Sequence, residues 1–181
     1  ALEEARSTLQ AAQTAYDAAL QDYNIKKADH DEKHAAMKAA WDAVEIAGDA
    51  LNAAKEIMEG TRQALVWAEI AFLLAYESGN PKAILAAGLL VAKCTKKHID
   101  AMADYWGKRK IYNEKAEVFN NAYAASLAAS IALKAAKKTL DAAQEDLDAA
   151  QSDYDSKFED VEDAKKAVSD AMDALAACQN G

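Results

Sequence analysis

The sequence is short of the residues that make turns. Among its 181 residues there are one proline, Pro81, and six glycines. Sandwiches, barrels and βαβ folds need many tight turns, which glycine and proline supply. Turn-rich β and α/β folds are therefore excluded.

Cysteine is also scarce: Cys94 and Cys178 are too few for a disulfide framework, and the sequence leaves open whether they pair within the chain, pair between chains or stay free.

Positive charge is outnumbered as well. The chain has 21 Lys and Arg against 30 Asp and Glu, a net charge of -9. It shows no basic stripe with interleaved aromatic residues, so we expect no nucleic-acid partner. Hydrophobic residues nevertheless make up 52% of the chain, and about a quarter of all residues are alanine. Abundant apolar residues at regular spacing exclude a disordered chain.

The dominant pattern is a seven-residue repeat of large residues, each followed three positions later by a small one. One register runs from Leu2 to Phe72, and its small positions run from Ala5 to Ala75. A second register runs from Ile84 to Leu175. Repeats of this kind are typical of long coiled helices. The small residues allow two helix axes to approach closely.

A single strong interruption separates the two registers. Gly79 can cap one helix and Pro81 can start the next, so the chain should turn back antiparallel there. If residues 2–77 form one helix, it is about 114 Å long at a rise of 1.5 Å per residue. Such a helix needs a partner along its length. The sequence thus predicts two very long helices within one elongated domain, residues 1–181.

Two finer expectations concern how these helices are interrupted. Near the turn the apolar residues wrap most of each helix, which indicates more than one neighbour. We therefore expect an all-α, elongated antiparallel helical bundle or coiled coil with a thicker end of three or four helices, formed by a reversal near Gly107. In the first helix, polar residues break the apolar seam and predict a wet stretch or a break: Lys26, His30, Lys33 and His34.

Few residues suggest chemistry. His30 and His34 have the i, i+4 spacing of a metal pair, but a charged surface turn of a coiled coil has the same appearance. Cys94 and His98 share that spacing, and we interpret them as seam residues. We expect no catalytic residue, metal or cofactor. Candidate ligand-binding residues are Trp67, Tyr105 and Trp106, the latter two in an aromatic group that is more typical of a core: Tyr105, Trp106, Tyr112, Phe119 and Tyr123.

The apolar hairpin from Leu65 to Ala92 allows two interpretations. Residues 83–92 carry no charge, but this run is about half the length of a membrane span. One interpretation is the buried end of a bundle. The other is a membrane-inserting hairpin carried on long helices, as in α-helical pore-forming toxins.

In its long heptads and its alanine content, the whole chain resembles the glutamic acid/alanine-rich protein of African trypanosomes. It is also similar to related helical surface coat proteins of the variant surface glycoprotein type. The resemblance implies a coat protein at the cell surface, held by a glycosylphosphatidylinositol anchor in a dense layer of its own copies. The resemblance also implies that the protein attaches to the membrane only through a C-terminal anchor and that this anchor has been removed from the chain.

Three functional hypotheses follow. The first is a non-enzymatic surface coat or barrier. The second is a surface receptor on the same scaffold, binding an unidentified host or vector ligand. The third is a membrane-active or pore-forming protein that uses the hairpin from Leu65 to Ala92.

Overall fold

The computed structural model describes residues 1–179, with side chains described as far as Leu175. Two α-helices account for nearly all of this part of the chain. Helix α1 spans Leu2–Glu77 and helix α2 spans Pro81–Gln179. The described residues contain no β-strand. The predicted all-α class is confirmed.

The turn between the helices has the predicted chemistry. Gly79 adopts a positive φ of 68°, which costs glycine little because it has no Cβ. At the start of α2, the Asn80 side-chain oxygen accepts hydrogen bonds from the backbone N–H groups of Lys82 (3.1 Å) and Ala83 (3.4 Å). Pro81 takes the first helical position, where its missing N–H is not needed. Local residues therefore end one helix and begin the next.

The expected extra helices near the turn are absent from the described residues, which contain two helices and no reversal at Gly107. Helix α2 passes through Gly107, which lies exposed on its surface. The prediction failed because an apolar outer surface indicates a neighbour without showing that the neighbour belongs to the same chain. The same segment of α2 also keeps Tyr105 and Tyr112 half-buried on its seam, which supports an unbroken helix.

Helix α1 likewise has no break at the predicted polar stretch. Lys26, His30 and Lys33 lie half-buried at seam positions. Long lysine side chains can cover apolar surface with their methylene groups while the ammonium group stays in water. Polar residues in the seam are therefore compatible with a continuous helix.

The contacts divide the chain into two compact units. The first contains residues 1–32 and 127–181, and the second contains residues 33–126 with the turn. Each unit joins a segment of α1 to a segment of α2. The finding bears on contacts alone, so the expectation of a single domain stays a prediction.

In each unit the core consists mainly of alanines from the predicted small positions. In the first unit these are Ala5, Ala19, Ala129, Ala136 and Ala150. In the second they are Ala47, Ala54, Ala68 and Ala101, together with Val44. The large seam residues are half-buried beside them as far as Val161, after which every described side chain of α2 is exposed.

Candidate functional site

Contacts across the second unit fix the register of its two helices. The Thr61 hydroxyl lies 3.2 Å from Nδ1 of His98. Because the helices are antiparallel, Leu65 then comes level with Cys94 and Ala68 with Val91. Each large seam residue thus lies opposite a small one. This pairing explains why alanine recurs at the small positions of the seam.

The same hydroxyl group makes a contact within its own helix. The Thr61 hydroxyl oxygen lies 2.9 Å from the Met58 carbonyl oxygen, to which it can donate its hydrogen. Cys94, one turn before His98, is a half-buried free thiol. The interpretation of Cys94 and His98 as seam residues agrees with their burial, while Cys178 lies outside the described side chains.

The predicted histidine pair does not form a complete metal site. His30 occupies a half-buried seam position with Nδ1 3.2 Å from a carboxylate oxygen of Asp31, whereas His34 is exposed. Across the described residues, no group of three or more His, Cys, Asp and Glu side chains is placed to hold a metal ion.

The structure places two of the three candidate ligand-binding residues side by side, since the ring centres of Tyr105 and Trp106 are 5.4 Å apart, and it places Trp67 at a different surface depression. Trp67 is 64% exposed and lines a surface depression on α1 with Val66 and Ile70. Trp106 is 55% exposed and lines a depression on α2, where the Arg109 guanidinium lies 5.0 Å from the indole centre. Tyr105 is half-buried in the seam.

The aromatic residues of α2 are spread along the helix rather than gathered in one cluster. An aromatic contact between the helices joins Phe119 to Trp41 of α1, with ring centres 5.1 Å apart, and Tyr123 lies next to Phe119 at 6.1 Å. Sequence reasoning missed Trp41 because it does not occupy a seam position. The signal that could have found it is the register, which places its neighbour Ala40 level with Phe119.

An apolar groove runs between the helices in the second unit. Its volume is about 260 Å³, and it is lined by Ala43, Ile46, Ala47, Ala50, Lys108, Ile111 and Lys115. The small alanines leave space between the larger side chains. Ile46 is 72% exposed, so the groove is open to solvent along one edge.

The most extensive unusual feature is the turn surface, which we define as the exposed apolar residues beside the turn: Trp67, Ile70, Leu73, Leu74, Leu85, Leu89 and Leu90. Four of these leucines are 60–67% exposed. Successive helical residues differ in direction by about 100°. Leu73 and Leu74 therefore point in different directions, and the turn surface covers more than one face of the hairpin.

No helix segment in the described part of the chain is long and apolar enough to cross a membrane. No protein-family model matches the chain, and no curated protein is significantly similar to it. The resemblance to trypanosome surface proteins therefore stays a prediction.

Proposed function

We propose that the chain is a non-enzymatic structural protein whose helical hairpins stand side by side in a dense layer at a cell surface. The observation that carries this proposal is the turn surface. Monomeric soluble proteins rarely expose contiguous apolar patches of this kind, and such patches mark contacts with other molecules. In a layer, neighbouring copies would cover these leucines.

Two properties of the turn surface favour several neighbours. Its leucines point in more than one direction, so a single partner on one face would leave some of them in water. Exposed small residues lie between them, including Ala71, Ala86 and Ala92. Small residues on an outer face let the backbone of another helix approach closely, as the seam alanines do within the hairpin.

The cell-surface location, the lipid anchor and the coat role rest on the resemblance to trypanosome coat proteins. Labelling of intact cells with a membrane-impermeant reagent tests them. The proposal expects heavy labelling of this protein at high copy number, with release by a phospholipase that cleaves glycosylphosphatidylinositol anchors. A scarce or unlabelled protein would contradict the coat role.

Lateral packing is tested with the double variant Leu74→Glu/Leu89→Glu. Both positions are more than 60% exposed, so the hairpin itself should remain folded. Sedimentation velocity should show that the unchanged chain forms species larger than a dimer and that the variant does not. The matched control Ile25→Glu/Ile131→Glu alters equally exposed isoleucines of the first unit and should leave assembly intact. Equal assembly by all three proteins would refute lateral packing through the turn surface.

A membrane-active role is the second candidate, and the same surface favours it. Lipid surrounds an inserted segment on all sides, so it would cover the turn-surface leucines even though they point in different directions. Leakage of dye from anionic and neutral vesicles distinguishes the two proposals. Leakage that is caused by the unchanged chain and lost in Leu74→Glu/Leu89→Glu would favour membrane activity over the layer.

A further inference from the structure

Helix α1 carries a second line of apolar residues, apart from the seam that α2 covers. We call it the α1 stripe: it begins at Ala36 and reaches Leu74 in alternating steps of three and four residues. Its large members are Ile46, Ile57, Trp67 and Leu74, and its other eight members are seven alanines and Gly60. Each member directly precedes a seam residue, so the stripe lies about 100° around the helix from the seam.

The α1 stripe is exposed along its length and free of charge. Ten of its twelve members are exposed, with Ile46 at 72% and Ile57 at 59%, and Ala43 and Ala50 are half-buried. Between residues 36 and 74, α1 has nine charged side chains, and none of them lies on the stripe or on the seam. A helix face in water has no reason to exclude charge over this length. The stripe therefore has the composition of a face that packs against another helix.

We propose that two copies of this chain pair through the α1 stripe, antiparallel about a two-fold axis level with residue 55. The order of large and small residues in the stripe is self-complementary about that point. Ile57 lies opposite the second copy's Ala53, and Ile46 lies opposite the second copy's Ala64. The other two large members also meet alanines. Every large member thus meets a small one, as in the seam of the second unit.

The apolar groove of the second unit lies where this pairing places a tryptophan. Stripe members Ala43 and Ile46 line the groove together with Ile111 of α2. The antiparallel register sets the second copy's Trp67 opposite Ala43. This indole is 64% exposed, and a groove of about 260 Å³ that is open along one edge can receive it. The two-fold axis fills the same groove in both copies.

The stripe is also large enough for a stable dimer. It extends for about 57 Å at 1.5 Å per residue, and a helix with its side chains is about 10 Å wide. Two stripes face to face cover on the order of 1,100 Å² in total, and a biological interface should exceed about 1,000 Å².

Other arrangements of two stripes fit less well. A parallel pair would place each large member against its own counterpart and each alanine against alanine, which leaves gaps that close packing does not allow. An antiparallel pair shifted by one heptad in one direction would set Ile46 opposite Ile57 and Ala71 opposite Glu32. A shift in the other direction would set Ala39 beyond the end of the second copy's α1. The proposed register alone uses the whole stripe.

This inference goes beyond the proposed layer but rests on it for its setting at a cell surface. Copies that are anchored to one membrane by the same end of the chain share an orientation, whereas the paired copies have opposite orientations. Pairing through the stripe would therefore join copies that belong to two facing layers.

The orientation and register are tested by disulfide crosslinking in a chain that has lost both cysteines, Cys94→Ala/Cys178→Ala. Ala39 and Ala71 are exposed stripe members that the register sets opposite each other. A mixture of Ala39→Cys and Ala71→Cys chains should form a mixed disulfide under mild oxidation. Either chain alone should form none, since its two cysteines would be about 48 Å apart at 1.5 Å per residue. Crosslinking of either chain with itself, or none in the mixture, would overturn the proposal.

A cysteine on the opposite face of α1 provides the control for chance collisions. Glu69 precedes Ala71 by two residues and therefore points about 200° away from it. Glu69→Cys mixed with Ala39→Cys should crosslink at least tenfold less than Ala71→Cys does. Equal crosslinking of the two mixtures would overturn the proposal.

A second measurement tests the apolar contact itself. Ile57→Glu, placed in both cysteine chains, should reduce the mixed disulfide at least tenfold, because it would put a carboxylate into the contact beside the two-fold axis. Ile99→Glu changes an isoleucine of α2 with similar exposure, 55% against 59%, and should leave the mixed disulfide unchanged. Both side chains are exposed, so neither change should unfold the hairpin. Equal crosslinking by the two variants would overturn the proposal.

Pairing and the layer can fail separately. Leu85→Glu/Leu89→Glu alters the turn surface on α2 and no member of the stripe, so it should abolish the larger species and keep the mixed disulfide. Loss of the mixed disulfide in chains that still form the larger species would refute the pairing and leave the layer standing. A mixed disulfide without any larger species would refute the layer and leave the pairing standing.

Discussion

Alanine at the seam determines how closely the two helices approach in each unit. Ala54 is 3% exposed, and the register of the second unit places it opposite Tyr105. A buried alanine contributes little apolar area itself, but it allows the opposing ring to lie against the helix backbone. At this scale, stability depends on the fit between a large and a small side chain as well as on the area buried.

The pair Ala53 and Ala54 offers a direct test of this fit. Ala54→Leu would force extra methyl groups into a filled space and should lower the free energy of unfolding by about 1–3 kcal/mol. Ala53 is its exposed neighbour. Because leucine and alanine have similar helix propensities, Ala53→Leu should change stability by less than about 0.5 kcal/mol. Urea unfolding of both variants measures the difference, and equal values would contradict the large-against-small pairing.

Residue burial was largely predictable wherever it depended on the repeat. The large positions from Leu2 to Phe72 are buried or half-buried, as the seven-residue spacing predicts. The Trp41–Phe119 contact was not predictable in the same way, because it depends on the register of two helices. Spacing within one helix indicates which face is covered. Which residue covers it depends on the register between the two helices, and the turn sets that register.

At the scale of elements, both helices continue through positions where the sequence predicted interruption. Gly107 is exposed and lies within the unbroken helix α2, so it marks no turn. A single glycine costs a helix only about 1 kcal/mol relative to alanine. Packing of the seam residues on either side is sufficient to offset that cost. Helix ends were predictable only at Gly79, where capping chemistry and the end of the repeat coincide.

Two glycines should respond in opposite ways to the same substitution. Gly79→Ala places a Cβ on a residue with a φ of 68° and should destabilise the hairpin by about 1–2 kcal/mol. Gly60 lies within α1 with nothing within 4 Å of its Cβ position. Gly60→Ala should therefore stabilise the protein by up to about 1 kcal/mol. Thermal unfolding followed by circular dichroism measures both, and a shift of the same sign in both would contradict the turn geometry.

At the scale of the whole molecule, composition was enough to predict an all-α chain but not the number of its helices. The outer apolar residues Leu73 and Leu85 predicted neighbours, and the chain supplies none in the part that is described. The pattern of polar and apolar residues indicates that a helix face is covered. Whether the cover is another segment, another copy or lipid depends on molecules that the sequence does not specify.

Net charge makes a prediction about assembly. Copies that each carry a net charge of -9 repel one another. This repulsion extends over about 10 Å at 0.1 M salt and over about 30 Å at 0.01 M salt, so it is stronger at the lower salt concentration. Contacts between apolar surfaces should therefore weaken several-fold when salt is lowered from about 0.1 M to 0.01 M. Sedimentation velocity at the two salt concentrations measures the change. Stronger association at low salt would indicate that opposite charges, rather than apolar surfaces, hold the copies together.

The large-against-small register also limits how the length of this chain can change. Removing seven residues from one helix alone would leave the turn in place and move each large residue beyond the deletion to a new small position, seven residues along the other helix. Removing residues 51–57 of α1 together with residues 102–108 of α2 would leave every remaining large residue opposite its original small partner. Insertions and deletions in such a hairpin are thus tolerated in whole heptads, and matched pairs of heptads also keep the original partners. Related chains could differ widely in length while keeping the same turn and the same seam.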